Sequence, residues 1–290
     1  MTSPSAEPAL PEAARRLAQA RAFLFDLDGT LVLANATHDE ARLLPGTREL
    51  FAWLEAAGRP VGIFTNGTVK TPAAIAHMLA RAGLDVAVEQ IFTPTVMAMA
   101  WLARQGLRRV MVIGPEASFA FWEEAGFEPL APDRRAAAEA VFVGWHRDFR
   151  MAHIENAAHA IWQGARFLVG SLHPFYMTAA GPAVGTSRVF AAALQSLTGR
   201  RPLLLGKPAR TALRLAAARL GAKPEALAVI GDDAALDIEM ARRGGAVGVL
   251  VKSGVSAQSG LPRLGPPPPE ADLELTDLAA LFTLMRHILP

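Results

Sequence analysis

Two aspartates stand two positions apart at the end of an apolar run, in the stretch FLFDLDGTLV of residues 23–32. A carboxylate can attack phosphorus, and the acyl phosphate that forms divides phosphate hydrolysis into two easier steps. A second carboxyl group nearby can protonate the leaving oxygen and later take a proton from water. Asp26 and Asp28 are therefore candidates for a nucleophile and a general acid–base.

Other apolar runs along the chain also end in polar residues of the types that a phosphoryl site needs. In an open parallel sheet, ligands bind beyond the carboxyl ends of the strands, so side chains that follow different strands converge there. A hydroxyl group and an ammonium group at that edge would hold the phosphoryl oxygens as charge redistributes. The residues concerned are Thr65, Asn66, Lys207, Asp232, Asp233 and Asp237.

So many carboxylates in one place repel each other unless cations neutralise them. One lysine is not enough for the acidic residues that we expect at this edge. A hard divalent ion with oxygen ligands is the natural partner, and Mg²⁺ typically takes one or two carboxylates, waters and a substrate phosphate. The sequence therefore predicts a Mg²⁺ site.

The elements that must position these residues alternate along the chain. Short apolar runs such as AFLFDL, PVGIFTNG and ALAVIGDD read as strands. Longer segments with helical periodicity separate them, for example TPAAIAHMLARAGL, where Pro72 suits a first turn and Gly83 a stop. Strands that are apolar throughout imply parallel strands covered on both faces, which is a doubly wound α/β architecture.

Composition excludes several classes of protein. The 290 residues carry a net charge of only +2, and the basic residues are scattered rather than grouped, so we expect no nucleic-acid partner. No apolar run is long enough for a membrane span, and residues 1–20 read as a tail rather than a signal peptide. The chain has no cysteine, which excludes disulfides and thiolate metal sites. With no export signal, we expect a cytoplasmic protein.

Four segments, DLDGTL, FTNG, GKP and GDDAALD, occur in that order and resemble the four motifs of the haloacid dehalogenase (HAD) superfamily of phosphatases. The resemblance covers roughly residues 20–290 and extends to the subgroup of 4-nitrophenyl phosphatase-like and N-acetylglucosamine-phosphate phosphatase-like enzymes. It implies a Rossmann-like core with an α/β cap domain inserted between the second and third motifs. The expected limits are a tail at 1–20, a core at 21–94 and 202–290, and a cap at 95–201.

The resemblance also implies a role for each matching residue. Asp26 matches the nucleophile and Asp28 the general acid–base. Thr65, with the backbone of Asn66, matches the phosphoryl-binding position, and Lys207 matches the lysine that pairs with the phosphoryl group and the nucleophile. The implied metal ligands are the carboxylates of Asp26 and Asp232 and the backbone carbonyl of Asp28. The implied supporting acids are Asp237 and Asp233, and for Asp233 the resemblance leaves open whether it touches the site.

Three segments depart from the subgroup's pattern. Gly67 stands where a second asparagine is common; Gly29 and Gly67 are still assigned to substrate binding. The segment 30–45 is longer than the usual flap, and its His-Asp-Glu at 38–40 is expected to be a solvated loop. The cap segment SLHPFYMTAAGPAVG lacks the expected Asn-Pro-Asp-like loop, and we expect His173 and Tyr176 there to face a less polar or an anionic leaving group.

The resulting expectation is a Mg²⁺-dependent phosphatase that hydrolyses a small phosphorylated metabolite through an aspartyl phosphate. The resemblance further implies a homodimer, because caps of this size often form dimer contacts in the subgroup. Two alternatives remain open at this point. One is a receiver-like phospho-acceptor, and the other is an inactive protein of this fold with a binding or regulatory role.

Overall fold

The structure is a computed structural model that describes residues 11–35, 40–178, 181–254 and 267–289, without the side chains of 176–178 and 181–182. The helices in these ranges are α1 Glu12–Ala18, α2 Thr47–Ala56, α3 Pro72–Ala82, α4 Pro94–Arg104, α5 Phe119–Glu124, α6 Met151–Trp162, α7 Thr186–Thr198, α8 Arg210–Arg219, α9 Glu239–Gly244 and α10 Leu278–Ile288, with a π-helix at Ala234–Ile238. The strands are β1 Ala22–Asp26, β2 Val32–Ala34, β3 Ala41–Leu43, β4 Val61–Phe64, β5 Ile91–Phe92, β6 Arg109–Ile113, β7 Glu128–Leu130, β8 Ala140–Val143, β9 Arg166–Val169, β10 Phe175–Thr178, β11 Gly181–Val184, β12 Leu203–Leu204, β13 Leu227–Gly231, β14 Val247–Val251 and β15 Leu273–Leu275.

The larger sheet has six parallel strands in the order β15-β14-β13-β1-β4-β5. Its central strand β1 is buried on both faces, because successive side chains point to opposite sides of a strand. Leu24 belongs to the apolar cluster on one face, with helices α4, α8 and α9. Phe23 and Phe25 belong to the cluster on the other face, with helices α1, α2, α3 and α10. The predicted doubly wound α/β core is confirmed.

A second sheet of five parallel strands has the order β12-β9-β8-β6-β7. Helices α6 and α7 cover one of its faces, where Val141 and Phe167 are buried with Phe190. Phe142 and Leu168, on the opposite face, belong to the same apolar cluster as Leu24 of the core. One continuous cluster therefore joins the inserted α/β unit to the core sheet.

The ends of the predicted domains can be compared with these elements. Helix α1 lies within the expected tail, and its Leu17 is fully buried in the core cluster beside α10. The short strand β12 pairs with β9, so the second sheet includes residues just past the expected cap limit at 201. The domain limits themselves stay a prediction.

The long segment after the first motif forms a hairpin, in which β2 and β3 pair in antiparallel fashion. His38 and Asp39 of the predicted solvated loop lie outside the described residues, and Glu40 is exposed. Within the ranges that the structure covers, each helix is too short or too polar to cross a lipid bilayer.

Candidate active site

The centre of the site is a buried lysine shared by two carboxylates. Asp26 is the last residue of β1, and Lys207 lies between β12 and α8. The ammonium group of Lys207 donates one hydrogen bond to Asp26 Oδ1 and another, of 2.8 Å, to Asp237 Oδ1. The side chains of Asp26, Lys207 and Asp237 are only 9%, 3% and 1% exposed, so these charges interact with little screening by water.

Burial and the neighbouring charges shift the pKa of each member of this cluster. It raises the pKa of Asp26, although the ammonium group of Lys207 opposes the shift, and the charge of Asp28 adds to it. Burial likewise raises the pKa of Asp237 to about 7, again against the effect of Lys207. For Lys207, burial lowers the pKa, but the two carboxylates outweigh it and the net pKa lies above its ordinary value. One ammonium group thus leaves the carboxylates undercompensated, and a further cation would stabilise them.

A tight turn follows Asp26 directly. The carbonyl group of Leu27 accepts hydrogen bonds from the N–H groups of Leu31 and Val32, and Gly29 adopts φ +84° within this turn. Glycine suits that backbone conformation because it has no Cβ. The predicted turn after the first aspartate is therefore present, and Asp28, which is half-buried, lies within it.

Thr30 is a site residue that the sequence interpretation missed. Its hydroxyl group is fully buried and donates a 3.2 Å hydrogen bond to Asp26 Oδ2. This bond and the bond from Lys207 together fix both oxygens of the Asp26 carboxylate. The available signal was the place of Thr30 directly after Gly29 in the first motif.

The loop after β4 lies beside the nucleophile position. Phe64 pairs in register with Asp26, so the buried Thr65 follows at the same edge of the sheet. The N–H group of Gly67 donates a 3.1 Å hydrogen bond to Thr65 Oγ1, which fixes the hydroxyl group. The side chain of Asn66 bonds to the backbone of Lys207. The structure therefore brings the second and third motifs together.

Asp232 follows β13, and its carboxylate is enclosed by two glycines. A Cβ atom at either Gly29 or Gly254 would collide with this carboxylate. Ser253, next to Gly254, donates a 3.0 Å hydrogen bond to the carbonyl oxygen of Gly29. The sequence interpretation missed Ser253 and Gly254, although both follow β14 at the carboxyl edge of the sheet, where the same topological rule applies.

The acidic residues here fit a divalent metal ion. Carboxylate oxygens of Asp26, Asp232 and Asp237 lie within 4.8 Å of one another. Asp237, like Asp26, accepts hydrogen bonds at both oxygens, from Lys207 and, at 3.3 Å, from the N–H group of Asp233, but its side chain is 1% exposed against 9% for Asp26. Asp232 is half-buried, whereas Asp237 is nearly inaccessible. Asp26 and Asp232 are thus better placed as metal ligands, and Asp237 is better placed to hold Lys207.

Asp233 and His173 lie at the rim of the site. Asp233 Oδ1 accepts hydrogen bonds from the N–H groups of Ala235 and Leu236, which begins the π-helix. Asp233 Oδ2 lies 3.9 Å from His173 Nε2, so a residue of the inserted unit reaches the fourth motif. His173 Nδ1 is hydrogen-bonded to the carbonyl oxygen of Phe175. The side chain of Tyr176 lies outside the described part of the structure.

Two family models match this chain. One, described as haloacid dehalogenase-like hydrolase, matches residues 23–128, and the other, described as HAD-hydrolase-like, matches residues 204–281. Together they match more than half of the chain, including the four motifs at the site. The chain belongs to the haloacid dehalogenase-like hydrolases.

The relatives of this HAD hydrolase include named phosphatases. Ribonucleotide monophosphatase NagD of Escherichia coli K12 is 29% identical over 80% of this chain and 87% of its own length. Dihydroxyacetone phosphatase of Corynebacterium glutamicum is 28% identical over 89% of this chain and 90% of its own. The NagD structure superposes with a TM-score of 0.73 at 25% identity, covering 90% of this chain and 97% of that one. The prediction of a HAD hydrolase acting on phosphate monoesters is confirmed.

Proposed function

We propose that this protein is a Mg²⁺-dependent phosphatase that hydrolyses a small phosphate monoester through an aspartyl phosphate on Asp26. The observation that supports this proposal best is the buried Lys207 between Asp26 and Asp237, with the Asp232 carboxylate beside them. Such an arrangement presents a carboxylate at the sheet edge where phosphoryl oxygens would meet an ammonium group.

In the first step, a carboxylate oxygen of Asp26 attacks phosphorus, and the bond between phosphorus and the ester oxygen breaks. Asp28 gives its proton to that oxygen, which leaves as an alcohol. In the second step, water attacks the phosphorus of the acyl phosphate and gives a proton to Asp28. The bond between Asp26 and phosphorus then breaks, which releases inorganic phosphate and restores both carboxyl groups.

Other residues of the chain hold the phosphoryl group during both steps. The ammonium group of Lys207 is hydrogen-bonded to the Asp26 carboxylate. It would therefore face the oxygens of a phosphoryl group that is transferred to Asp26. The hydroxyl group of Thr65 is fixed by Gly67 at the same edge and can donate to a second oxygen. These charged and polar groups are in place before the reaction, so little reorganisation accompanies the change in charge.

The carboxylates of Asp26 and Asp232 and the backbone carbonyl of Asp28 would hold Mg²⁺, which prefers hard oxygen ligands and retains water. When bound, the ion supplies Lewis-acid stabilisation of charge on the phosphoryl oxygens. The Asp232 carboxylate fits between Gly29 and Gly254 because neither residue has a Cβ atom.

The names of two relatives and the position of His173 indicate the class of substrate. One relative is named a ribonucleotide monophosphatase and another a dihydroxyacetone phosphatase, so both are named for phosphorylated small molecules. His173 reaches the rim from the inserted unit and offers a hydrogen-bonding ring atom to a leaving group. We therefore expect a small phosphorylated metabolite. The homodimer and the cytoplasmic location stay predictions.

Phosphate release from phosphorylated metabolites and 4-nitrophenyl phosphate tests the proposal, with Mg²⁺ and with a chelator. We expect release that stops when metal is removed and resumes when Mg²⁺ is restored. A stable phosphoryl group on Asp26 without turnover would instead favour the receiver-like alternative. Absence of both release and phosphorylation across the panel would favour the inactive binding protein.

Replacing Gly254 tests the metal site without removing a ligand. In Gly254→Ala the new methyl group would collide with the Asp232 carboxylate and displace it. We expect the Mg²⁺ concentration for half-maximal activity to rise about 10- to 100-fold, the usual scale when the support of a ligand is lost.

The matched control for Gly254→Ala is Gly114→Ala, where an added Cβ meets its nearest neighbours at 3.5 Å, an ordinary contact. Magnesium titrations of the two variants should differ clearly. Equal half-saturation in both variants and in the wild type would argue against Asp232 as a ligand.

A further inference from the structure

Asn66 makes a pair of hydrogen bonds to the backbone of one residue across the site. Its Nδ2 donates to the backbone carbonyl of Lys207 at 3.1 Å, and its Oδ1 accepts from the backbone N–H group of Lys207 at 2.7 Å. A backbone N–H can only donate and a carbonyl can only accept, so these partners fix the orientation of the carboxamide. The side chain thus makes with Lys207 the two backbone hydrogen bonds that a neighbouring strand would make.

The backbone of Lys207 needs such a partner because of where it lies. β12 has ended, α8 has not begun, and none of the strands that the structure describes pairs with residue 207. The chain returns here from the second sheet to the core. A side-chain amide from the loop after β4 therefore supplies the two hydrogen bonds that a strand would otherwise provide.

The surrounding packing holds this contact at close range. A Cβ atom at Gly206 would collide with Asn66 Oδ1 and with the carbonyl oxygen of Gly170, and it would lie 3.2 Å from Pro94. Pro94 begins α4, where the chain leaves the core sheet, and Gly170 follows β9 of the second sheet. Both crossings between the two sheets therefore meet at Gly206, which also lies against the Asn66 carboxamide.

We propose that Asn66 is a positioning residue, whose carboxamide fixes the backbone of Lys207 and so aims its ammonium group at Asp26. This inference rests on the proposed phosphatase activity. Lys207 is held at both ends, by the two carboxylates at Nζ and by Asn66 at the backbone. Because the carboxamide is occupied in this way, it acts through Lys207 and not by contact with substrate.

The chain offers a matched control in Gln90. Its carboxamide also bridges two backbone groups, since Oε1 accepts from the N–H group of Ala87 at 2.8 Å and Nε2 donates to the carbonyl of Val61 at 3.1 Å. Both Asn66 and Gln90 are half-buried. Val61 begins β4, so Gln90 binds the end of that strand opposite the site.

The experiment compares Asn66→Ala, Asn66→Asp and Gln90→Ala, by turnover of 4-nitrophenyl phosphate and by inhibition with orthovanadate, which mimics a five-coordinate phosphoryl group. Misplacement by about 1 Å can reduce a rate about 100-fold, so we expect kcat to fall about 10- to 100-fold in Asn66→Ala. The inhibition constant for orthovanadate should rise in parallel. Asn66→Asp keeps the oxygen acceptor for the N–H group of Lys207 but loses the donor to its carbonyl oxygen and adds a negative charge, so it should not recover the activity lost in Asn66→Ala.

Gln90→Ala should lower the midpoint of thermal unfolding to a similar degree as Asn66→Ala but leave kcat and orthovanadate inhibition unchanged. If kcat and inhibition in Asn66→Ala match those of Gln90→Ala, Asn66 has only a structural role and the inference is wrong. If the wild type itself releases no phosphate from any substrate, the proposed function fails instead, so the two failures are distinguishable.

Discussion

Asp26→Asn should reduce phosphate release by roughly 10⁴-fold or more, the scale on which loss of a nucleophile acts in other enzymes. The carboxamide has the same shape but cannot form an acyl phosphate. Burial raises the pKa of Asp26, which means that the buried charge is itself unfavourable. The neutral carboxamide removes that charge, so the substitution should not unfold the protein. Initial rates with saturating Mg²⁺, together with a thermal unfolding curve, separate these two effects.

The comparison with Asp28→Asn makes this result specific to the nucleophile. 4-Nitrophenolate leaves without needing a proton, so Asp28→Asn should still form the aspartyl phosphate from 4-nitrophenyl phosphate. It lacks the base that activates water in the second step, so we expect a burst of 4-nitrophenolate stoichiometric with enzyme, followed by slow turnover. Asp26→Asn should give no burst. Full turnover in Asp26→Asn would overturn the mechanism.

The elements that carry the catalytic residues are predictable from sequence because each is a local pattern. The run AFLFD is apolar on both faces, and it forms the central strand with buried side chains on each side. Pro72 and Gly83 mark the ends of α3 as expected, at the first turn and at the C-cap. Since the carboxyl ends of parallel strands share one edge, the order of motifs was enough to bring Asp26, Thr65 and Asp232 together.

The contacts that support those residues are harder to predict, because they join positions far apart in the chain. Nothing near Asn66 in the sequence indicates that its side chain binds a backbone residue 141 positions later. Gly254 matters because the Asp232 carboxylate lies against it, and a glycine after a strand is equally typical of an ordinary turn. The 3.9 Å approach of His173 to Asp233 likewise depends on how the inserted unit packs on the core.

Lys207→Met should have the second large effect, because it leaves two buried carboxylates without their ammonium partner. Breaking a buried ion pair in this way typically costs about 3–5 kcal/mol of unfolding free energy. Activity should fall by about 10²- to 10³-fold, as when one group that stabilises transition-state charge is removed. Urea unfolding in the presence of a chelator measures the stability, because bound metal would otherwise compensate the charge.

The pH dependence of that loss has a definite sign. In the folded protein the pKa of Asp237 is about 7, against an ordinary 3.8. The stability that this raised pKa contributes to the wild type is therefore fully present below about pH 3.8 and is lost as pH rises through about 7. Without Lys207, the main opposition to the effect of burial is lost, and the pKa of Asp237 rises further. The variant should therefore be closest to the wild type in acid and fall progressively behind it as pH rises.

The double variant Lys207→Met/Asp237→Asn separates charge from packing. It removes one of the two uncompensated carboxylates, so we expect it to regain part of the unfolding free energy at pH 8 and to show a weaker dependence on pH than Lys207→Met. Activity should not return, because the phosphoryl group still lacks its ammonium partner. A Lys207→Met variant equally destabilised at pH 5 and pH 8 would show that lost packing, rather than buried charge, causes the effect. The undercompensated carboxylates that favour a metal ion at this site are thus the same groups through which Lys207 stabilises the fold.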